Sequence, residues 1–224
     1  MTSPDSLSPS GPLPDALTDV PLFPLGTVLF PGGLLPLRIF EVRYLDMVRR
    51  CQREGRPFGI VALMRGQEVR QAGGEQEAFS DIGTLATLVD VQAPRPGLMM
   101  IKTHGGPRFR IRRSAQQPHG LWVGDLDLLP EDPAVAVPSD LQAQAQALGR
   151  VLETLTVQAA DAGAEVPVRQ PWQLEDCAWV ANRWCELLPL PVAMKQRLMT
   201  LDNPLVRLEL VGDLLAQGGG GAAR

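Results

Sequence analysis

The amino-acid sequence predicts an α+β protein: a β-rich first half with one inserted helix, then an all-α half. Three observations predict it. Between Val20 and Leu129 the apolar residues come in short runs broken by Pro and Gly, the punctuation of strands in a rolled sheet or small barrel. From Leu141 onward they recur at helical spacing. A single helical stripe, Phe40 to Cys51, interrupts the strands.

The strand runs are PLFPLGTVLFPGG, LLPLRIF, FGIVALM, IGTLATLVDVQ, GLMMIKTHGG, RFRIRR and LWVGDLDLL. In Arg108 to Arg112 strict alternation sends Phe109 and Ile111 to one face and Arg108, Arg110 and Arg112 to the other. The run that follows alternates Trp122, Leu126 and Leu128 against Asp125 and Asp127. With SAQQPHG between them, the two read as a hairpin.

In the inserted helix Phe40, Tyr44, Met47, Val48 and Cys51 share one stripe, expected to pack on the sheet and plug the barrel. Beyond the turn PEDPAVAVP, Ser139 is placed as N-cap of a helix with Leu141, Ala145, Leu148, Leu152 and Leu155 on its buried stripe. A second helix starts near Trp172, with Leu174, Cys177, Ala178, Ala181, Trp184 and Leu188 inward, and ends at the prolines of LPLP. A short helix over 192–200 follows. The last has Asn203 as N-cap, Pro204 at its first position, and Leu205, Leu208, Val211 and Leu215 as its stripe. The expected organisation is a disordered leader over 1–18, a β-rich domain over 19–130, a helical subdomain over 138–217 and a flexible Gly-rich tail over 218–224.

With 224 residues, 45% of them hydrophobic, the chain can bury a substantial core. A formal charge of -4 gives no global attraction to phosphate backbones or anionic lipid. No run reaches the roughly 20 apolar residues of a membrane helix, and residues 1–20 lack a basic region followed by an apolar stretch, so the expectation is a cytoplasmic protein without membrane partners. Cys51, Cys177 and Cys185 form no CxxC pair and have only His104 and His119 to help them. Neither a disulfide framework nor a zinc site is expected.

The segment PLFPLGTVLFPGGLLPLRIFEVRYLDMVRRC, together with FGIVAL, resembles the Lon N-terminal domain family, whose members carry PLFPL, VLFPG and LRIFEPRY in this order. Ile82-Gly83-Thr84 and Gly106-Pro107-Arg108-Phe109-Arg110-Ile111 are similar to two further strand motifs of that family. LPLPVAMKQRLMTLDNPLVRLELVGDLL resembles its closing helical elements. The resemblance covers residues 20–217; Val42 departs from it, where the family usually has Pro. It implies a PUA-like β-barrel joined to a helical bundle that engages protein or peptide partners in proteolysis, here as a stand-alone, non-catalytic member without ATPase or peptidase parts.

No phosphate-cradling GxxxxGK[ST] loop surrounds Lys102 or Lys195, and both lie in ordinary strand and helix patterns, which disfavours a Ser-Lys peptidase. His104 and His119 read as loop histidines, so no metal, cofactor or catalytic residue is assigned. Binding candidates are the polar group Arg38, Glu41, Arg43 and Tyr44, whose competing role is to clamp the strand-to-helix junction, and the apolar Leu34, Leu35 and Met99, whose competing role is core packing. A groove between the β-rich and helical halves is a further expected place for a guest.

Two other readings remain. PUA-like barrels include RNA binders, and Arg108, Arg110, Arg112 and Arg113 would form the nucleic-acid patch; cross-strand pairing with Asp125 and Asp127 is preferred, so nucleic acid is not the expected partner. A small hydrolase is the last alternative. The sequence leaves the oligomeric state open, a homodimer included.

Overall fold

A computed structural model describes residues 16–65, 77–166, 168 and 170–219. The chain divides into two compact units, 1–130 and 131–224. Most of the expected leader and the end of the expected tail lie outside the described residues. What is described there is ordered: the first strand starts at Ala16 and the last helix runs to Gly219.

The first unit holds strands β1 (Ala16–Leu25), β2 (Leu34–Ile39), β3 (Phe58–Arg65), β4 (Ala78–Arg95), β5 (Leu98–Gln116) and β6 (Trp122–Leu128), with helix α1 (Val42–Glu54) between β2 and β3. They form one six-stranded sheet in the order β2-β5-β4-β3-β1-β6, and β6 also pairs with β5. Five strands therefore make a closed circuit of pairings, with β2 outside it. All neighbours are antiparallel except β1 and β3.

Each circuit strand sends side chains to one cluster: Val20 and Leu22 from β1, Val61 from β3, Leu85 from β4, Phe109 from β5 and Leu126 from β6. Phe109 needs glycines beside it, because a Cβ on Gly59 or Gly83 would stand 2.7 or 2.6 Å from its ring. The next residues along the same strands, Phe23, Ile60 and Ala86, join a second cluster with Tyr44, Met47, Val48 and Cys51 of α1. Successive strand residues point to opposite faces, so α1 covers the outer face of these strands. The expectation that it plugs the barrel is corrected.

Phe40 also departs from the expected stripe. It precedes the helix and is 52% exposed, since the helix begins only at Val42. At its other end α1 stops at Gly55, whose φ of 61° is left-handed, a conformation glycine adopts without a Cβ penalty.

The second unit begins with a 3-10 turn, Ser139–Leu141, and contains α2 (Gln142–Asp161), α3 (Cys177–Leu187), α4 (Val192–Met199) and α5 (Pro204–Gly219). Ser139 does not cap α2; it opens the 3-10 turn, and its side chain makes no capping bond. α3 starts five residues later than Trp172, at a cap the sequence reading missed: the Asp176 carboxylate accepts from the Trp179 N–H at 2.7 Å. The Asn203 cap forms as expected, accepting from Leu205 N–H at 3.0 Å and Val206 N–H at 3.3 Å. The unit is tied together by Arg207, 1% exposed. It donates to both Asp132 carboxylate oxygens (2.6 and 3.1 Å), to Asn182 Oδ1 (2.9 Å), to the Leu198 carbonyl (3.0 Å) and to the Leu201 carbonyl.

Candidate functional site

The polar group at the β2–α1 junction separates into a buried network and an exposed remainder. The Glu41 carbonyl accepts the first helical N–H groups, from Tyr44 at 3.0 Å and Leu45 at 2.9 Å, while its carboxylate accepts from Arg43 Nε at 3.0 Å. Arg43 also donates to the Gly120 carbonyl at 2.8 Å and to Glu77 at 3.2 Å. The second Glu77 oxygen accepts from Trp122 Nε1 at 2.6 Å. The guanidinium lies 4.5 Å from the Tyr44 ring centroid, and Tyr44 stacks on Phe23 at 3.9 Å.

Burial works against the charge on Arg43, but Tyr44, Glu41 and Glu77 outweigh it and hold the guanidinium above its ordinary pKa. Arg43 thus fastens α1 to the turn before β6 and to the start of β4. Sequence reasoning expected an Arg pair to clamp this junction; Arg43 alone does so, and Glu77, Gly120 and Trp122, the network's other members, lie 34 to 79 positions away with no local signal.

Arg38 stays outside this network, exposed on β2. Register places it beside Met100 and places Ile39 beside Met99. Met99 is 6% exposed within the core and Met100 is 41% exposed; alternation makes Met100, not Met99, the surface methionine. Leu34 and Leu35 are half-buried, Leu35 against the α1 cluster.

The arginine strand is neutralised. Arg110 meets Asp81 at 3.1 Å, Arg112 meets Asp127 at 3.0 Å and Arg113 meets Asp125 at 2.9 Å. The Asp125 carboxyl is held below its ordinary pKa, first by the Asp19 N–H and then by Arg113. Arg108 does not share the wet face expected of it. It is 4% exposed because the chain after β6 returns over it: Leu129 N–H donates to its carbonyl at 2.9 Å, and its guanidinium reaches the Pro130 carbonyl at 3.5 Å. A register shift between Ile111 and Arg113 breaks the alternation further along.

His104 is half-buried within β5 and so is not a loop histidine, whereas His119 is exposed in the turn before β6. Among the described residues no group of three or more His, Cys, Asp or Glu is placed to hold a metal ion. Burial pushes the Cys51 thiol up to about 11 and the Cys185 thiol up to about 12, and raises Cys177 as well. Such thiols are protonated at neutral pH and are weak nucleophiles. Lys195 Nζ donates to the Glu186 carbonyl at 3.1 Å.

A feature the sequence reading missed is a cleft of about 220 Å³ between the C-terminal turn of α1 (Cys51, Gln52, Gly55, Arg56) and Thr87–Val91 of β4. A smaller hollow of about 160 Å³, sharing Cys51 and Arg56, adjoins it. The available signal was the length of IGTLATLVDVQ, which outruns its partner FGIVALM and so leaves part of β4 without β3 beside it.

The first unit is thus a six-stranded sheet with α1 on its outer face, and the second unit is helical. The chain belongs to the family of the ATP-dependent protease La (LON) substrate-binding domain, whose model matches residues 19–217. It is 24% identical over 200 residues to Lon protease 2 of Myxococcus xanthus, covering 88% of this chain and 23% of that protein. Over 121 residues it is 27% identical to cereblon of Danio rerio, covering 52% of this chain and 27% of the relative. It thus spans about a quarter of the length of these curated relatives.

Among solved structures, the Lon N-terminal domain protein from Xanthomonas campestris is 32% identical with a TM-score of 0.65, covering 89% of this chain and 98% of that one. The N-terminal domain of the Mycobacterium avium complex Lon protease, 19% identical with a TM-score of 0.54, shares the fold. No described helix is long and apolar enough to cross a membrane.

Proposed function

We propose that this chain is a non-catalytic, cytoplasmic module that binds exposed or extended polypeptide, with its circuit of five strands acting as a PUA-like barrel beside a helical bundle. What carries the reading is the match of residues 19–217 to a substrate-binding domain. Supporting it are exposed apolar groups at the β2–α1 corner, Phe40 at 52%, Val42 at 71% and Met100 at 41%, with Arg38 among them. Exposed apolar groups gathered along one strand-to-helix corner are suited to protein contacts. Leu34 and Leu35 open the same strand, β2, while Glu41, Arg43 and Tyr44 hold the corner in place.

The RNA reading loses its support because Arg110, Arg112 and Arg113 already face carboxylates, and the hydrolase reading because the three thiols are buried and protonated. The test is a titration of the full chain with a fluorescent, reduced and carboxymethylated polypeptide, beside single-stranded RNA. Saturable binding of the unfolded polypeptide, unchanged in an Arg110→Ala/Arg112→Ala/Arg113→Ala variant, is expected. RNA binding that falls steeply with salt and disappears in that variant would overturn the proposal.

A further inference from the structure

Strands inside a closed circuit of pairings have little edge to offer, yet several stretches of the described sheet have a partner on one side only, among them two next to β5. One is the outer side of β2, which pairs only with β5. The other is β4 beyond Ala86. β3 starts at Phe58, opposite Ala86, whereas β4 continues to Arg95 with only β5 alongside.

The backbone phase of these edges follows from one hydrogen bond, Gly105 N–H to the Gly33 carbonyl at 2.8 Å. Since antiparallel ladders alternate, Thr103, Ile101 and Met99 bond toward β2, and His104, Lys102 and Met100 toward β4. Their β4 partners Thr87, Asp90 and Gln92 bond back. Leu88 and Val91, paired with Thr103 and Ile101, therefore direct N–H and C=O away from β5 into the open lane. On β2 the same alternation turns Leu34, Pro36 and Arg38 outward, and Pro36 has no N–H to offer, a common way of blunting an edge. No proline lies between Thr87 and Gln92, and it is against this unblunted edge that the cleft opens.

The lining says what fits. Leu88 and Val91 are half-buried and Val89 is 40% exposed, so the floor is apolar. Asp90 has Lys102 as its neighbour on β5 and accepts from the neutral Gln92 amide at 2.9 Å, leaving its lane side open. The cation on the cleft wall, Arg56, stands 3.9 Å from Glu54, and the C-terminal carbonyls of α1 add the negative end of a helix dipole.

We propose that the lane beside Thr87–Val91 takes an extended polypeptide as an added strand, with a basic residue beside Asp90 and apolar residues flanking it. The guest completes a plus-minus-plus row with Asp90 and Lys102. The proposal rests on the polypeptide-binding reading and gives it a location.

The experiment titrates the full chain with a fluorescent nine-residue peptide of alternating Val and Thr with a central Lys, and with its central-Glu counterpart. The carboxymethylated unfolded polypeptide is run in parallel. Wild type should favour the Lys peptide about fivefold, the scale of a cross-strand charge pair, and Asp90→Lys should reverse the preference. The bound Lys peptide should slow hydrogen exchange at the Leu88 and Val91 amides. Val91→Pro, which removes one outward N–H, should abolish binding; if it does not fold, the Asp90 reversal and the exchange data decide. Unfolded polypeptide that binds equally to wild type and Asp90→Lys, with exchange at Leu88 and Val91 unchanged, overturns this location and leaves the broader reading standing. Failure of every polypeptide to bind overturns both.

Discussion

Arg43 and Glu77 expose 5% and 9% of their side chains, and the cost of a buried pair appears when one partner is removed. Arg43→Ala leaves the Glu77 carboxylate with Trp122 alone, and the expected loss is about 3 kcal/mol, read as a shift in the urea midpoint. Glu77→Gln should cost less, because the amide can still accept from Trp122 or Arg43. A second residue-scale expectation concerns Glu186, whose carboxyl burial pushes up to about 7 although Arg183, at 2.9 Å, and Lys195 pull it down. Its folded pKa lies above the unfolded value of about 4.3, so the native state binds more protons. That contribution is complete below the unfolded value and is lost as pH rises through 7. With 21% of the side chain exposed, the effect is smaller than full burial implies. Between pH 5 and 8 the Tm of wild type should fall relative to Glu186→Gln; parallel profiles would refute the assignment.

At the scale of elements, sequence reading succeeded where the signal is local and failed where a distant segment decides. The Asn203-Pro204 start of α5 needs nothing beyond its own turn, and it forms as expected. Ser139 carries the same kind of local signal, but Pro138 in extended conformation precedes a 3-10 turn there, so the hydroxyl caps nothing. Asn203→Ala should therefore cost about 1 kcal/mol, the usual worth of a lost cap, while Ser139→Ala should be near neutral; a denaturant series on both variants decides.

The arginine strand divides in the same way. The partners Asp125 and Asp127 were legible from the neighbouring strand, Asp81 was not, and Arg108 was misplaced because the returning Leu129–Pro130 segment lies beyond the strand's own pattern. For the binding candidates, periodicity in β5 could not choose between Met99 and Met100 without the register, and the open stretch of β4 became visible only once β3 was known to start at Phe58. Gly105 is a further position where tertiary structure decides: a Cβ there would stand 2.2 Å from the Phe30 carbonyl oxygen. Gly105→Ala should lower Tm far more than Gly97→Ala, which meets nothing within 4 Å and pays only for its positive φ.

Across the whole molecule the two units keep separate anchors, Arg43 in the first and Arg207 in the second. Arg207→Ala should cost about 3 to 5 kcal/mol by stranding Asp132. Native-state hydrogen exchange should register the loss first in α3, α4 and α5, before the strands of the first unit. The closed circuit of strands also bears on how the protein is made. Ala16 pairs with Asp127 and Leu22 with Trp122, so β1 leaves the ribosome long before its β6 neighbour exists. At typical synthesis rates of about 5–20 residues per second, that delay is on the order of 5 to 20 s. Throughout it Val20 and Leu22 have no completed interior to enter. Until the sixth strand emerges, these apolar side chains lack the β6 neighbours that bury them in the finished protein.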